Sequence, residues 1–282
     1  MSLIENISDT AKAVAIYRAE ESERPDAVFH DRFARKLAGD KGEQIARSIE
    51  FFKTNSWLFA ARTFAIDEFI MRQVKEGYDM VINLAAGLDA RPYRMDLPSS
   101  IQWIEVDLPG IIEQKNKILE NETPKCELRR FQLDLADQKA RVELFKRLNS
   151  QAGKALIISE GLVIYLTEEQ VGSLATDLSL QKNFKRWGLD MVSPALLAIL
   201  QERIGSALDA SNSKFQFAPE DGEAFFLKYG WKPLEAKSAI KIAARLNRLP
   251  EELLKVAATP EPEGPKRQYP WPGICLFENT NQ

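Results

Sequence analysis

Gly87, Asp89 and Asp107 carry the first chemical signal in this chain. Gly87 closes a small-residue turn, Ala85-Ala86-Gly87, after the apolar run Met80-Val81-Ile82-Asn83-Leu84. Asp107 ends a second apolar run, Ile101-Gln102-Trp103-Ile104-Glu105-Val106, about 20 residues beyond Gly87. A carboxylate at that distance from a glycine turn is spaced to reach a ribose diol. Read as strand, tight turn, connection and strand, the stretch puts both groups at the carboxyl ends of early strands. In a doubly wound α/β sheet those ends form the crevice that takes a nucleotide-like ligand. The expectation is an adenosine-type cofactor site.

Charge decides which cofactor fits. A dinucleotide loop is normally G-x-G-x-x-G, with bare N–H groups at a helix N-terminus for the pyrophosphate. Here Ala85 and Ala90 hold the outer positions, and Asp89 puts a carboxylate inside the loop, where it would repel a pyrophosphate. S-adenosylmethionine (SAM) has no phosphate. It carries a sulfonium, an ammonium, a carboxylate and a ribose, and a loop with one glycine, a nearby acid and arginines suits it better. An NAD-dependent oxidoreductase is the alternative that the missing glycines and Asp89 oppose.

The elements that must hold these groups come next. At 282 residues and 45% hydrophobic content, the chain has the size of one large α/β domain or one domain with a cap. Its 38 basic and 41 acidic side chains give a formal net charge of −3 without long single-sign runs. That pattern gives no electrostatic case for nucleic acid or an anionic membrane. Cys126 and Cys275 lie far apart and outside any C-x-x-C, so neither a zinc site nor a disulfide framework is expected. No secretory signal is read at the start, and no apolar run approaches the roughly 20 residues of a membrane span. A cytoplasmic protein is expected. With His30 the single histidine, any mechanism that needs a histidine cluster is excluded.

Residues 8–77 read as helical, with apolar residues at helical spacing in Ala13-Val14-Ile16-Tyr17 and again in Phe59-Phe64-Ala65-Phe69-Ile70. Residues 1–77 thus form a helical N-terminal lobe or lid, and 78–282 the cofactor-binding domain. Arg62 stands in an otherwise apolar stretch, and a buried arginine wants an anion. Pro109 to about Leu119 is a helix with proline in its first turn. Glu127 to Phe131 is a third strand, followed by Asp134-Leu135, and 137–149 is an amphipathic helix. Ala155-Leu156-Ile157-Ile158-Ser159 is a central parallel strand ending on Glu160-Gly161. Thr167-Glu168-Glu169-Gln170 opens another helix as a capping box. A fifth strand covers about 186–192.

From Pro194 to Lys228 the pattern is helical again, broken by the polar loop Ser211–Lys214, which predicts a cap inserted at about 194–230. Trp231–Ala236 and Gly273–Glu278 read as strands, Ile240–Leu246 as a helix, and Pro260–Pro272 as an exposed loop. Alternating strand and helix predicts a mainly parallel, doubly wound sheet. The two helical pieces would cover its carboxyl edge and keep water from the reaction.

Four blocks, in order, resemble the leucine carboxyl methyltransferase family, including its bacterial small-molecule O-methyltransferase relatives. They are Ala15–Glu20 with Arg24-Pro25-Asp26 and Phe29-His30-Asp31; Val81–Arg94; Glu105–Pro109; and Ser159–Leu166. The last hundred residues match only in outline. The resemblance implies a seven-stranded, Rossmann-like SAM-dependent methyltransferase fold. It also implies roles: Asp107 on the ribose hydroxyls, Asp134 and Leu135 framing the adenine, and Ala85 and Gly87 beside the methionine portion. Arg62 would pair with the SAM carboxylate, Arg18 would be a second basic contact, and Glu160 would sit beside the ammonium. Asp134 could instead cap the following helix, Glu160 could be a structural acid, and Tyr165 could pack in the core. Ala85 or Ala86 replaces the family's first loop glycine, Ala90 its usual threonine, and Arg32 a common proline.

Methyl transfer from a sulfonium is an in-line displacement that needs mostly alignment and desolvation. A carboxylate acceptor would need no general base; a phenol or alcohol would need one, or a hydrogen-bond partner. Tyr17, Tyr165 and Asp190 are the candidates to face the acceptor, and no obligatory metal is expected. The expectation is O-methylation of a small-molecule carboxylate or hydroxyl. The C-terminal carboxylate of a protein is the alternative acceptor, and a non-catalytic SAM-binding paralogue the alternative role.

Overall fold

The computed structural model describes residues 7–209, 214–261, 264 and 268–281. Its frame is one seven-stranded sheet in the order β3-β2-β1-β4-β5-β7-β6. The strands are β1 (Met80–Leu84), β2 (Gln102–Asp107), β3 (Glu127–Gln132), β4 (Ala155–Ser159), β5 (Phe184–Val192), β6 (Trp231–Ser238) and β7 (Pro272–Asn279). β1 to β5 pair in parallel, whereas β7 runs antiparallel to both β5 and β6. Every residue of β1 and β4 is buried, as apolar strands covered on both faces require. The chain runs outward from β1 to β3 and then crosses back to β4. The gap above β1 and β4 is therefore the switch point where ligands lodge in open α/β sheets.

Before the sheet come α1 (Ile7–Ser22), α2 (Ala34–Ser48), α3 (Glu50–Thr54) and α4 (Ser56–Lys75). In α4 the residues Trp57, Ala61, Ala65 and Phe69 recur every four positions and are buried in one cluster with Val81, Leu156 and Ile158 of the sheet. This stripe welds the last N-terminal helix to one sheet face. Gly188 in β5 lies under the same face: a Cβ there would crowd Ile158 Cδ1 of β4 at 3.1 Å and touch Phe69 Cδ2 at an ordinary 3.6 Å.

Further helices are α5 (Arg91–Arg94), α6 (Pro109–Ile118), α7 (Gln138–Gln151), α8 (Glu168–Ser179), α9 (Pro194–Asp209), α10 (Ala239–Arg245) and α11 (Glu251–Ala258). Thr167 caps α8 through the reciprocal box with Gln170. Residues of α9 and the segment after it, Leu200, Ile204 and Phe215, share one apolar cluster with Ile16, Tyr17, Phe52 and Phe59. The two helical pieces thus meet above the carboxyl edge of the sheet. Among the described residues no helix is long and apolar enough to cross a membrane.

Some details differ from the sequence reading. The end of the stretch 260–272 is buried rather than exposed. Trp271 is 2% exposed and its backbone N–H donates to Ser193 Oγ at 3.0 Å, fixing the start of β7. Helix α11 was not foreseen; Leu253 packs on the cluster under α4, while Leu254 and Val256 stay exposed. Of the polar loop 211–214, residues 211–213 lie outside the described residues.

Candidate functional site

A cleft opens at the carboxyl ends of β1, β2, β4 and β5, roofed by α1, α3, α4 and α9. Its empty volume is about 1340 Å³, counting the space at its mouth. Of the predicted residues, Arg18, Arg62, Ala85, Gly87, Asp107, Glu160, Tyr165 and Asp190 line it.

The turn after β1 forms one wall. Ala85 sits in the left-handed region at φ 52°, the conformation a glycine would adopt without strain. Asp107 closes the turn from the end of β2. Its Oδ2 accepts from Gly87 N–H at 2.6 Å and its Oδ1 from Leu108 N–H at 2.7 Å. Burial raises the Asp107 carboxyl, and those two hydrogen bonds partly oppose the rise. Two of a carboxylate's roughly four acceptor positions remain for a ligand.

Asp89 does not stand in the loop as a bare charge. Asn83 Nδ2, Arg91 N–H and Arg91 Nη1 donate to it at 2.7–2.8 Å. Burial alone would raise its carboxyl, but Arg91, Lys115, Arg94 and Arg18 outweigh it and hold Asp89 well below the usual carboxylate range. The repulsion expected from Asp89 is thus largely neutralised, and its role in the turn is bracing.

The floor is an alternating chain of charges. Arg91, 2% exposed, reaches Asp67 at 2.6 Å, Asp89 at 2.8 Å and Glu160 at 2.9 Å. Arg62 donates to Glu160 Oε1 and Asp190 Oδ2, each at 3.0 Å. Burial would raise Glu160, yet Arg91 and Arg62 lower it overall. Gly161 packs beside Arg62 and sits at φ 65°, in the left-handed region that favours glycine. Its N–H donates to Asp190 Oδ1 at 2.6 Å. At the far side, Arg94 reaches Asp67 at 2.7 Å, and Arg18 reaches Asp31 at 3.1 Å and Leu88 O at 2.7 Å. Four guanidiniums (Arg18, Arg62, Arg91, Arg94) face five carboxylates (Asp31, Asp67, Asp89, Glu160, Asp190), and behind the turn Glu105 is shared by Lys115 and Arg130, so the charges balance until Asp107 adds one negative charge in excess.

Three predicted residues lie elsewhere. Tyr17 donates its hydroxyl to Ala46 O at 2.9 Å and stacks on Phe59 at 5.0 Å between ring centroids, so it buttresses the wall without facing the cleft. Asp134 is exposed, and its Oδ1 takes Ala136 N–H in a local turn; Asp137 is the cap of α7. Leu135 packs against the opposite sheet face, and its carbonyl accepts from Arg141. Neither Asp134 nor Leu135 lines the cleft. Tyr165 does, with its hydroxyl 3.2 Å from Thr10 Oγ1 and its ring against Phe215. Burial raises the Tyr165 phenol, against the opposing Thr10 hydrogen bond.

Arg91, with its partner Asp67 behind it, and the aromatic wall of Phe51, Phe52, Phe59 and Phe215 are site features that the sequence reading does not single out. Arg91-Pro92-Tyr93-Arg94 follows the loop directly, and that pair of arginines after an acid was the available signal. The phenylalanines read as ordinary core, because periodicity does not separate a cleft wall from a packed interior.

The sheet order, with its reversed β7, and the cleft at the switch point define a Rossmann-like methyltransferase fold. A DUF574 family protein of Streptomyces avermitilis superposes with a TM-score of 0.60 at 12% identity, covering 94% of this chain and 96% of that one. A Thermobifida fusca protein, described as a methyltransferase, gives a TM-score of 0.57 at 12% identity over 99% and 96% of the two chains. Two relatives, assigned by name to the SAM-dependent methyltransferases, are similar in sequence. One, from Parafrankia sp., is 32% identical over 61% of this chain and 59% of its own length, so the match spans less than two thirds of that protein. The other, from Mycobacterium avium, is 26% identical over 89% of this chain and 88% of its own. The leucine carboxyl methyltransferase family model matches residues 11–179, more than half of the chain. The chain belongs to that family and is an enzyme of the SAM-dependent methyltransferase class.

Proposed function

We propose that the cleft holds SAM along the turn after β1 and that the enzyme methylates an oxygen of a small molecule. The observation that carries this reading is the charge balance of the floor. SAM brings one net positive charge, and the ion network is one positive charge short. Its amino-acid end is a zwitterion, with an ammonium for Glu160 and a carboxylate for Arg62. Insertion would exchange one internal ion pair for two, with Arg18 as a further basic group nearby. Asp107 has acceptor positions left for ribose hydroxyls. A pyrophosphate would find Gly87 N–H already committed to Asp107 and only the four-residue α5 behind the loop. Bound SAM supplies an electrophilic methyl group; the chain supplies alignment and a roof that excludes water. The enclosure by α3, α4 and α9 favours a small acceptor over a protein terminus, with no nucleic acid or membrane partner. A cytoplasmic site of action goes with a soluble, charged co-substrate.

The test is transfer of labelled methyl from SAM to a panel of small hydroxy and carboxylic compounds. Oxygen-bound label supports the reading, with alkali separating esters, which hydrolyse, from stable ethers. Label bound only to nitrogen or carbon, or none on any acceptor, counts against it.

A further inference from the structure

The cleft has two chemically different halves. The half built on the turn after β1 and the ends of β2 and β4 holds its charges. The other half is mainly apolar: Phe52 and Phe59 of the N-terminal helices share one cluster with Val192 of β5 and Leu200 and Phe215 beyond it, and the polar groups beside Phe215 are the neutral, mutually bonded hydroxyls of Tyr165 and Thr10. The lining cations are Arg18, Arg62 and Arg91, and each is already in ion pairs with carboxylates of the chain. Against them stand the lining acids Asp89, Asp107, Glu160 and Asp190. A carboxylate acceptor would enter an apolar chamber beside excess negative charge, and would lose its hydration without an unpaired cation among the described lining residues.

Asp190 lies at the seam between the halves. It is two residues from Val192 on β5, so the two side chains share one face of the sheet. Its oxygens accept from Gly161 N–H and Arg62, which fixes the carboxylate and leaves it further acceptor positions.

From this division we infer that the acceptor is a neutral, flat, apolar compound bearing a hydroxyl, and that Asp190 receives that hydroxyl's hydrogen bond and then its proton. The inference rests on the SAM reading of the other half. In the step, the acceptor oxygen forms its bond to the methyl carbon as the carbon–sulfur bond of SAM breaks. The bonding pair returns to sulfur as the neutral thioether, and the hydroxyl proton passes to Asp190. Phe52, Phe59 and Phe215 select the ring system, and Asp190 selects hydroxyl over carboxylate.

The experiment is equilibrium titration of the full chain with 2-naphthol and 2-naphthoate, matched in shape and different in charge at pH 7. S-adenosylhomocysteine is titrated first, and the probes are then compared with and without it. 2-Naphthol is expected to bind at least about tenfold more tightly than 2-naphthoate. Asp190→Asn is expected to narrow that preference from both sides, weakening the phenol and tightening the anion. Equal or tighter binding of 2-naphthoate, or no binding of 2-naphthol, overturns the acceptor assignment. An unchanged preference in Asp190→Asn removes Asp190 from the hydroxyl. Silence of S-adenosylhomocysteine with the naphthol preference intact overturns the cofactor reading and the transfer step with it, but leaves the acceptor half standing.

Discussion

Asp107→Ala strikes the turn and the cofactor together, and the structure separates the two effects. The carboxylate accepts two backbone hydrogen bonds, from Gly87 at 2.6 Å and Leu108 at 2.7 Å. Its removal leaves the Gly87 N–H at the inner wall without its acceptor, while Leu108 is exposed enough for water to replace the second bond. One inadequately replaced hydrogen bond to a charged group is worth about 1–3 kcal/mol of stability. At roughly 2–4 °C per kcal/mol for a domain of this size, the thermal midpoint should fall by several degrees. Loss of the ribose contacts should weaken SAM at least tenfold, about 1.4 kcal/mol. Calorimetric titration reads the affinity and a melting curve the stability, each below the transition of the variant. A stability loss with unchanged SAM affinity would show that Asp107 only braces the turn, and would refute its role on the ribose.

Three further outcomes follow from particular residues. Ala85→Gly should raise the thermal midpoint slightly, because the left-handed φ costs alanine about 1–2 kcal/mol and glycine's extra chain entropy gives back only part; a lower midpoint would deny the strain. Arg248 forks onto Glu21 at 2.8 and 2.9 Å and also bonds Asp26, tying the turn after α1 to the segment after α10. Arg248→Ala leaves the 4%-exposed Glu21 only the Val28 N–H at 2.9 Å and Arg24 at 4.0 Å and should cost about 2 kcal/mol in denaturant melts; a loss below about 0.5 kcal/mol rejects the clamp. Asp89 and Glu160 are lowered in the folded state, so their contribution is complete above the ordinary carboxylate pKa of about 4 and is lost as pH falls through their lower folded values. Asp107, raised by burial, acts in the opposite sense. The midpoint should fall on acidification below about pH 4, less steeply in Asp89→Asn, and a flat profile in both would contradict the network.

The sequence made the sheet readable where its own periodicity settled the matter. β4 and β1 are unbroken apolar runs bounded by turns, and both are fully buried strands. Asp107 and Gly87 were legible because strand end, turn and spacing together put them on one edge. The charge network was only half legible. Arg62 was conspicuous as a cation among apolar neighbours, but its partners Glu160 and Asp190 come from 98 and 128 residues away. Such pairings are tertiary facts, set by how α4 lies across β4 and β5. Tyr17 shows the same limit: a tyrosine in a motif reads as functional, and only the fold reveals that its hydroxyl bonds Ala46 O and its ring stacks on Phe59. Asp134 was read from its order along the chain, after β3; its local turn with Ala136 is a contact that order does not disclose.

The most direct measurement is a set of parallel calorimetric titrations of the protein with SAM, S-adenosylhomocysteine and NAD. A cleft built to receive a zwitterion beside excess negative charge should bind the first two with micromolar affinity and give no heat with NAD. Binding of NAD alone, or of none of the three, would contradict the assignment of the cleft.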